Sequence, residues 1–273
     1  MRLGDMRAVL SERNIQLTKS LGQNFLHDAN QLQRIVDAAE VGPEDYILEI
    51  GPGLGPLTAL LAKRAKRVLA VEMDLRLVKY LQERFKDQAN LEIMHADGLD
   101  VARDVMRDWT DWLLVANLPY SVASPLLVDL AQHAKRPRTL TATLQKEVVL
   151  RLCADHDSKT YGLLSLLVQM RYLPIGNFSI PRTCFFPEPD VDSACITMHR
   201  REPALVPEES MARFETAVRL AFSQRRKKSI KLLRARWPAE VLDAAFQKVG
   251  LSTEFRAEHI SLAQYVELVA QLP

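Results

Sequence analysis

The chain predicts an α/β fold, one mainly parallel sheet of seven strands with helices on both faces and a reversed last strand, followed by a small C-terminal helical domain. Three observations lead there. Short apolar runs alternate with amphipathic stretches from Tyr46 to Met198, the rhythm of strand–helix–strand units. The first of these runs opens into a glycine turn, Gly51-Pro52-Gly53-Leu54-Gly55. Beyond Pro203 strand signals cease and helical spacing takes over.

At 273 residues with 48% hydrophobic content, the chain can build one large domain and a smaller one. Cys153, Cys184 and Cys195 are odd in number, widely spaced and lack a C-x-x-C pair, so no disulfide framework or metal site is expected. No stretch approaches a membrane-spanning run, and the expectation is a cytoplasmic protein without a membrane partner. The division predicted is residues 1–202 and 203–273, with Pro203 and Pro207 bracketing the link.

Residues 1–20 read as a polar, partly helical lead-in. The turn from Leu21 to Asp28 follows, with Asp28 placed to cap a helix carrying Leu32, Ile35 and Val36; on spacing alone, Asn24 and His27 have only local hydrogen-bonding jobs. Tyr46 to Ile50 has the length and content of a buried strand. In the turn after it, Gly51 and Gly53 permit close approach by another group, and a helix starting at Pro56 points free N–H groups at whatever sits above. A nucleotide-like guest suits such a turn, although a turn of this kind can also be purely structural. Pro56 occupies the place of the third glycine of the dinucleotide fingerprint. That weakens a pyrophosphate reading and brings S-adenosylmethionine (SAM) forward.

Arg67 to Asp74 is a second strand ending in two acids, Glu72 suited to ribose hydroxyls and Asp74 to a helix cap. Leu91 to Gly98 is a third, whose Asp97 could take the amino group of an adenine or merely shape an Asp-Gly turn. The fourth, from Trp112, ends in Asn117-Leu118-Pro119-Tyr120. Thr139 to Leu144, Leu163 to Met170 and Val191 to Met198 complete the predicted sheet, with helices at Pro125 to Ala134 and Glu147 to Ala154. After the link, helices are expected over Met211 to Phe222, Lys228 to Arg236, Ala239 to Val249 and Leu262 to Leu272.

The fourth strand end carries chemistry. An exocyclic amine on a base is a poor nucleophile because its lone pair is delocalised into the ring. The Asn117 amide oxygen and the Leu118 carbonyl could accept its two hydrogens, Pro119 would fix the backbone, and Tyr120 would offer a stacking face to a base swung out of its helix. A plain β-turn is the competing account.

Between Arg219 and Arg236 lie eight basic residues and no acid, in a chain of net charge +2. Such concentration suggests phosphate contacts, assigned to Arg219, Arg225, Arg226, Lys227, Lys228, Lys231 and Arg234.

The segments Glu49 to Gly55, Asn117 to Tyr120 and Gly22 to Leu26 resemble the ribosomal RNA adenine N6-dimethyltransferase family. So do Phe185-x-Pro187-x-Pro189-x-Val191-x-Ser193 and Phe222 to Lys227. The likeness covers nearly the whole chain and is greatest to the bacterial small-subunit branch, which dimethylates two adjacent adenosines in the 3′-terminal hairpin of 16S rRNA. It implies a Rossmann-like SAM-dependent methyltransferase sheet, with the first thirty residues contributing to the cofactor pocket and the C-terminal helices binding RNA. Cofactor contacts are implied at Asn24, Leu26, Gly51, Glu72, Asp97 and Asn117, beside the Gly53 already read from the turn. Phe185 is implied as a second aromatic holding the target adenine against Tyr120. The partner implied is 16S rRNA in the assembling small subunit, the chain acting as a monomer without metal. Three other readings stay open: an assembly factor whose catalysis is dispensable, a 23S rRNA adenine methylase, and a nicotinamide-dependent dehydrogenase.

Overall fold

The computed structural model describes residues 1–17 and 22–273; Leu21 of the predicted turn lies outside them. Helix α1 (Leu3–Glu12) leads to the two-residue strand β1 (Phe25–Leu26) and to α2 (Ala29–Ala38), capped by Asp28, which accepts the Gln31 N–H at 2.9 Å. The first strand expected is β2 (Tyr46–Ile50), and α3 (Pro56–Arg64) begins on its proline. Next come β3 (Arg67–Glu72), α4 (Leu75–Arg84), β4 (Leu91–His95) and α5 (Gly98–Arg103). Asp74 caps α4 through the Arg76 N–H at 3.0 Å, and Asp97 caps α5 through the Leu99 N–H at 2.8 Å. Strand β5 (Trp112–Asn117), α6 (Ala123–Gln132), β6 (Thr139–Gln145) and α7 (Lys146–Leu152) follow.

The next stretch departs from expectation. Leu163 to Met170, expected as a strand, forms helix α8 (Leu163–Gln169), and the sheet takes β7 (Tyr172–Ile180) instead. The run is rich in leucine, which favours helix, and is too short for periodicity to decide. Ser165 Oγ accepts the Gly162 N–H at 3.1 Å and closes the first turn. Strand β7 escaped notice because Pro174, Gly176 and Asn177 interrupt it and its middle is exposed. The remaining elements are β8 (Phe185–Phe186), β9 (Ser193–Arg200), α9 (Glu208–Ala221), α10 (Ser229–Leu233), α11 (Ala239–Val249) and α12 (Leu262–Ala270).

The seven-stranded sheet runs β4-β3-β2-β5-β6-β9-β7. From β4 to β6 neighbours are parallel, and β9 is antiparallel to β6. Strand order reverses between β2 and β5, and open α/β sheets bind ligands in the crevice at such a reversal, beyond the carboxyl ends of the strands. A separate antiparallel pair joins β1 to β8, with Phe25 opposite Phe186 and Leu26 opposite Phe185. Ile35, Val36, Leu57 and Leu61 from α2 and α3 bury against Ile47, Val68, Leu113 and Val115 of the sheet. Met6 and Leu10 of α1 join Leu77 and Leu81 of α4, Phe25 and Leu54 in a second cluster. Each such side chain contributes about 1.5–3 kcal/mol.

The chain forms two compact units, residues 1–149 with 174–200, and residues 150–173 with 201–273. The division expected at 202/203 therefore misses an excursion, because 150–173 packs with the C-terminal helices. Within that second unit the Arg171 guanidinium, 2% exposed, meets Glu208 at 2.7 Å, and the Arg171 carbonyl accepts the Arg201 N–H at 2.7 Å. Tyr161 donates its hydroxyl to the Ile260 carbonyl at 3.0 Å. These partners lie 30 to 99 residues apart in the chain, and no local pattern announces them. Tyr161→Phe leaves that buried carbonyl unpaired and is expected to cost about 1–2 kcal/mol, read as a lower urea midpoint at unchanged slope. An unmoved midpoint would show that the bond does not help hold this unit together.

Candidate active site

A cavity of about 370 Å³ opens at the carboxyl ends of β2, β3 and β5, roofed in part by residues 22–26. Its wall includes every residue expected to bind the cofactor: Asn24, Leu26, Gly51, Gly53, Glu72, Asp97 and Asn117. Leu118, Pro119 and Tyr120 line it as well.

Two close approaches show why glycine is needed in the turn. Gly51 and Gly53 have φ of 71° and 60°, a region costly for other residues. A Cβ on Gly53 would lie 2.6 Å from the Phe25 ring, and one on Gly51 would lie 3.2 Å from Pro119. The turn is thus clasped between the N-terminal segment and the Asn-Leu-Pro-Tyr segment, and the site is assembled from both.

Glu72 is turned toward this turn. Its carboxylate accepts the Gly53 N–H at 3.2 Å and the Asp74 N–H at 2.9 Å, leaving further lone pairs for a guest. Burial raises its pKa against the pull of those N–H groups. Asp97 combines the two roles weighed for it, capping α5 with one oxygen while lining the cavity.

Asn117 is oriented by the N-terminal segment. Its Nδ2 donates to the Asn24 carbonyl at 3.0 Å, and a carbonyl can only accept, so the amide orientation is determined. The other atom, Oδ1, is buried without a hydrogen-bond partner. An acceptor that no protein group satisfies, on a residue of the cavity wall, is free to take a donor from a guest. The Asn24 side chain makes the local bond expected from spacing, Nδ2 to the Gly22 carbonyl at 3.3 Å, and it is the Asn24 main-chain carbonyl that holds Asn117.

Tyr120 is half-buried, and its hydroxyl lies 2.5 Å from Ser193 Oγ. Phe185 requires a correction. It is 3% exposed, packs in the core with Leu26 and Ile180, and is not part of the cavity wall. Pairing of β8 with β1 turns its ring inward, so in this structure it offers no face to a base; Tyr120 is the aromatic hydroxyl-bearing wall of the site.

Glu49 stands two residues before the first glycine of the turn. It is 1% exposed, lines the cavity, and leaves Oε2 unpartnered. A single acid inside the otherwise apolar run Tyr-Ile-Leu-Glu-Ile was the available signal. Glu72 and Asp97 make the wall acidic, and no lysine or arginine joins it among the described residues. Such a wall suits a cationic sulfonium better than a pyrophosphate, which counts against the dehydrogenase reading. The residues present fit SAM.

The basic stretch lies in the second unit, at the end of α9, in the turn after it and on α10. Arg219, Arg225, Arg226, Lys227, Lys231 and Arg234 are exposed. The apparent lack of compensating acids is partly a property of the linear sequence: Lys228 meets Glu254 at 2.5 Å and Arg234 faces Asp243 at 3.8 Å. Among the described residues no ion pair involves Arg225, Arg226, Lys227 or Lys231. No helix in the described residues is long and apolar enough to cross a membrane, and none of their acids, histidines and cysteines cluster as a metal site.

Burial pushes the Glu49 carboxyl up to about 8 from 4.5, with the neighbouring Glu72 charge adding to the rise. Between those values the folded chain holds a proton that the unfolded chain has released, so this group makes stability fall as pH rises through the window. Glu49→Gln cannot ionise and is expected to flatten that fall, gaining in Tm on the wild type from about pH 5 to about pH 8. Parallel Tm curves for the two proteins would refute the placement of a protonated carboxyl here.

The family model described as ribosomal RNA adenine dimethylase matches residues 14–272. A Clostridium perfringens protein named ribosomal RNA small subunit methyltransferase A is 38% identical over 266 residues, 95% of this chain and 92% of its own. A Geobacillus kaustophilus protein of the same name is 37% identical over 277 residues, covering 97% and 94%. Among solved structures, the 23S rRNA methyltransferase ErmE is 28% identical at TM-score 0.69, covering 91% of this chain and 99% of its own. A dimethyladenosine transferase from Plasmodium falciparum, at 22% identity and TM-score 0.74 over 89% and 95%, shares the fold. Matched along nearly its whole length, the chain belongs to the ribosomal RNA adenine dimethylase family of SAM-dependent methyltransferases.

Proposed function

We propose that the chain transfers methyl groups to N6 of two adjacent adenosines in the 3′-terminal hairpin of 16S rRNA, acting in the cytoplasm on the assembling small subunit. The observation that carries the chemistry is the orphaned Asn117 Oδ1 in an acid-lined cavity. The small-subunit assignment rests on relatives with that name at 37–38% identity over about 95% of the chain, against 28% for the 23S rRNA enzyme.

SAM, when bound, supplies a methyl group activated on a positive sulfur. Glu72 is the candidate for the ribose hydroxyls and Asp97 for the adenine amino group, with Asn24, Leu26, Gly51 and Gly53 shaping the cavity around them. Asn117 Oδ1 and the Leu118 carbonyl accept the N6 hydrogens of the target adenine. That holds the nitrogen pyramidal and aims its lone pair toward the donor. Tyr120 stacks on the flipped base, and Pro119 keeps the acceptors in place. The proton that the product nitrogen carries leaves after transfer, so no base of shifted pKa is required. Rate enhancement comes from orientation and preset dipoles.

The second unit is the candidate RNA-holding part. Arg225, Arg226, Lys227 and Lys231 have charges free to meet phosphates, whereas Lys228 and Arg234 would first give up Glu254 and Asp243.

Asn117→Ala is expected to lower kcat about 10²–10³-fold, the scale for losing one preset polar contact, while small-subunit binding persists. In cells lacking the gene, the wild type restores dimethyladenosine in the small-subunit hairpin and the variant does not. Methylation at the wild-type rate would overturn the assignment of Asn117. An unmodified hairpin despite wild-type enzyme would overturn the substrate.

Replacing Arg225, Arg226 and Lys227 together by Ala is expected to weaken RNA binding and to reduce the slope of log K against log salt by roughly 2–3, with SAM affinity unchanged. An unchanged salt slope would remove these residues from the RNA contact.

A further inference from the structure

Ser193 closes the Phe-x-Pro-x-Pro-x-Val-x-Ser segment and is the first residue of β9. It is fully buried, and it stands opposite Gln145 in the β6–β9 pairing, where it packs as part of the sheet. Its Oγ lies 2.5 Å from the Tyr120 hydroxyl, at the short end of the range for two hydroxyls. Tyr120 lies beyond the carboxyl end of β5, whose Asn117 stands opposite Thr143 of β6. The Leu118 N–H is bonded to the Thr143 carbonyl at 3.2 Å. The Asn-Leu-Pro-Tyr segment is therefore held at both ends, by a backbone bond to β6 at Leu118 and by a side-chain bond to β9 at Tyr120.

The Tyr120 ring lies between these ties. It is half-buried, and one side forms part of the cavity wall. A tyrosine attached only at Cβ can turn about its side-chain torsions. One attached at Cβ and at its hydroxyl, to a residue locked in a sheet, cannot do so without breaking a hydrogen bond.

We infer that Ser193 is a positioning residue: by holding the Tyr120 hydroxyl it sets the plane of the aromatic wall against which the target adenine stacks, and so the approach of N6 to the Asn117 acceptor. Ser193 itself touches no substrate. The inference rests on the reading of Tyr120 as the stacking face. It also assigns the tyrosine hydroxyl a purely mechanical role, in keeping with burial raising its pKa.

The test is a double-mutant cycle on RNA methylation with Ser193→Ala, Tyr120→Phe and the pair, alongside Tyr120→Ala. Each hydroxyl deletion is expected to lower kcat about tenfold, the range set by one hydrogen bond and by small errors of alignment. SAM affinity stays unchanged, and KM for the RNA moves less than kcat. The pair is expected to be no worse than either single variant, since each removes the same bond. Ser193→Thr, which keeps a hydroxyl, is expected to recover part of the rate.

Multiplicative losses in the pair, or a wild-type kcat in either hydroxyl deletion, would overturn the tether. If Ser193→Ala does not fold, Tyr120→Phe alone decides, because it removes the other end of the bond from a half-buried position. Tyr120→Ala separates this from the parent reading: unchanged turnover there removes the stacking role itself, whereas a large loss with silent hydroxyl deletions removes only the tether.

Discussion

The hydrogen bond from Asn117 Nδ2 to the Asn24 carbonyl is the contact on which the candidate site depends. It joins the N-terminal segment to the end of β5, residues that are 93 apart in the chain, and it decides which face of the amide remains available. A buried amide has one acceptor and two donors to satisfy. With a donor committed to a carbonyl, the oxygen of this cavity-lining residue is left buried without a partner. In an isolated protein that is a cost of about 1–3 kcal/mol, of the kind that persists where a ligand removes it.

The glycine turn makes that contact possible. The Phe25 ring rests against Gly53 at a distance a side chain would forbid, and Pro119 rests against Gly51 at one that a side chain would make tight. The N-terminal segment, the turn and the Asn-Leu-Pro-Tyr segment therefore form one packed unit. The Gly53 N–H also holds Glu72, and Glu72 in turn takes the Asp74 N–H. The acids so gathered make the cavity a place for positive charge, and this electrostatic selection separates a sulfonium cofactor from a dinucleotide more firmly than the missing third glycine does.

Most of the sheet was legible because its strands are short, apolar and punctuated. β2, β3, β4, β5 and β6 fall where the alternation puts them. The failures are instructive. Leu163 to Met170 is buried almost throughout, with Ser165 inside and only Leu163 and Gln169 part-exposed, which blurs the periodicity that distinguishes a helix from a strand. Strand β7 hides behind a proline, a glycine and an exposed middle, as edge strands tend to. Glu49 was visible as an oddity in a buried strand, but nothing in the sequence says that it lacks a partner.

Fold class, cofactor type and the chain segments that meet at the site are readable from the residues alone, since glycine spacing, strand-end acids and the Asn-Leu-Pro-Tyr segment are local patterns set by backbone geometry and side-chain chemistry. Which partners those groups find is set by the folded arrangement. It turned Phe185 into the core by pairing β8 with β1 and gave Lys228 and Arg234 their acids. It also joined residues 150–173 to the C-terminal helices and set Ser193 against Tyr120. The reason is common to all four: each depends on contacts between segments distant in the chain, and the free energy of such a contact depends on what else is buried beside it rather than on the residues that flank it in sequence.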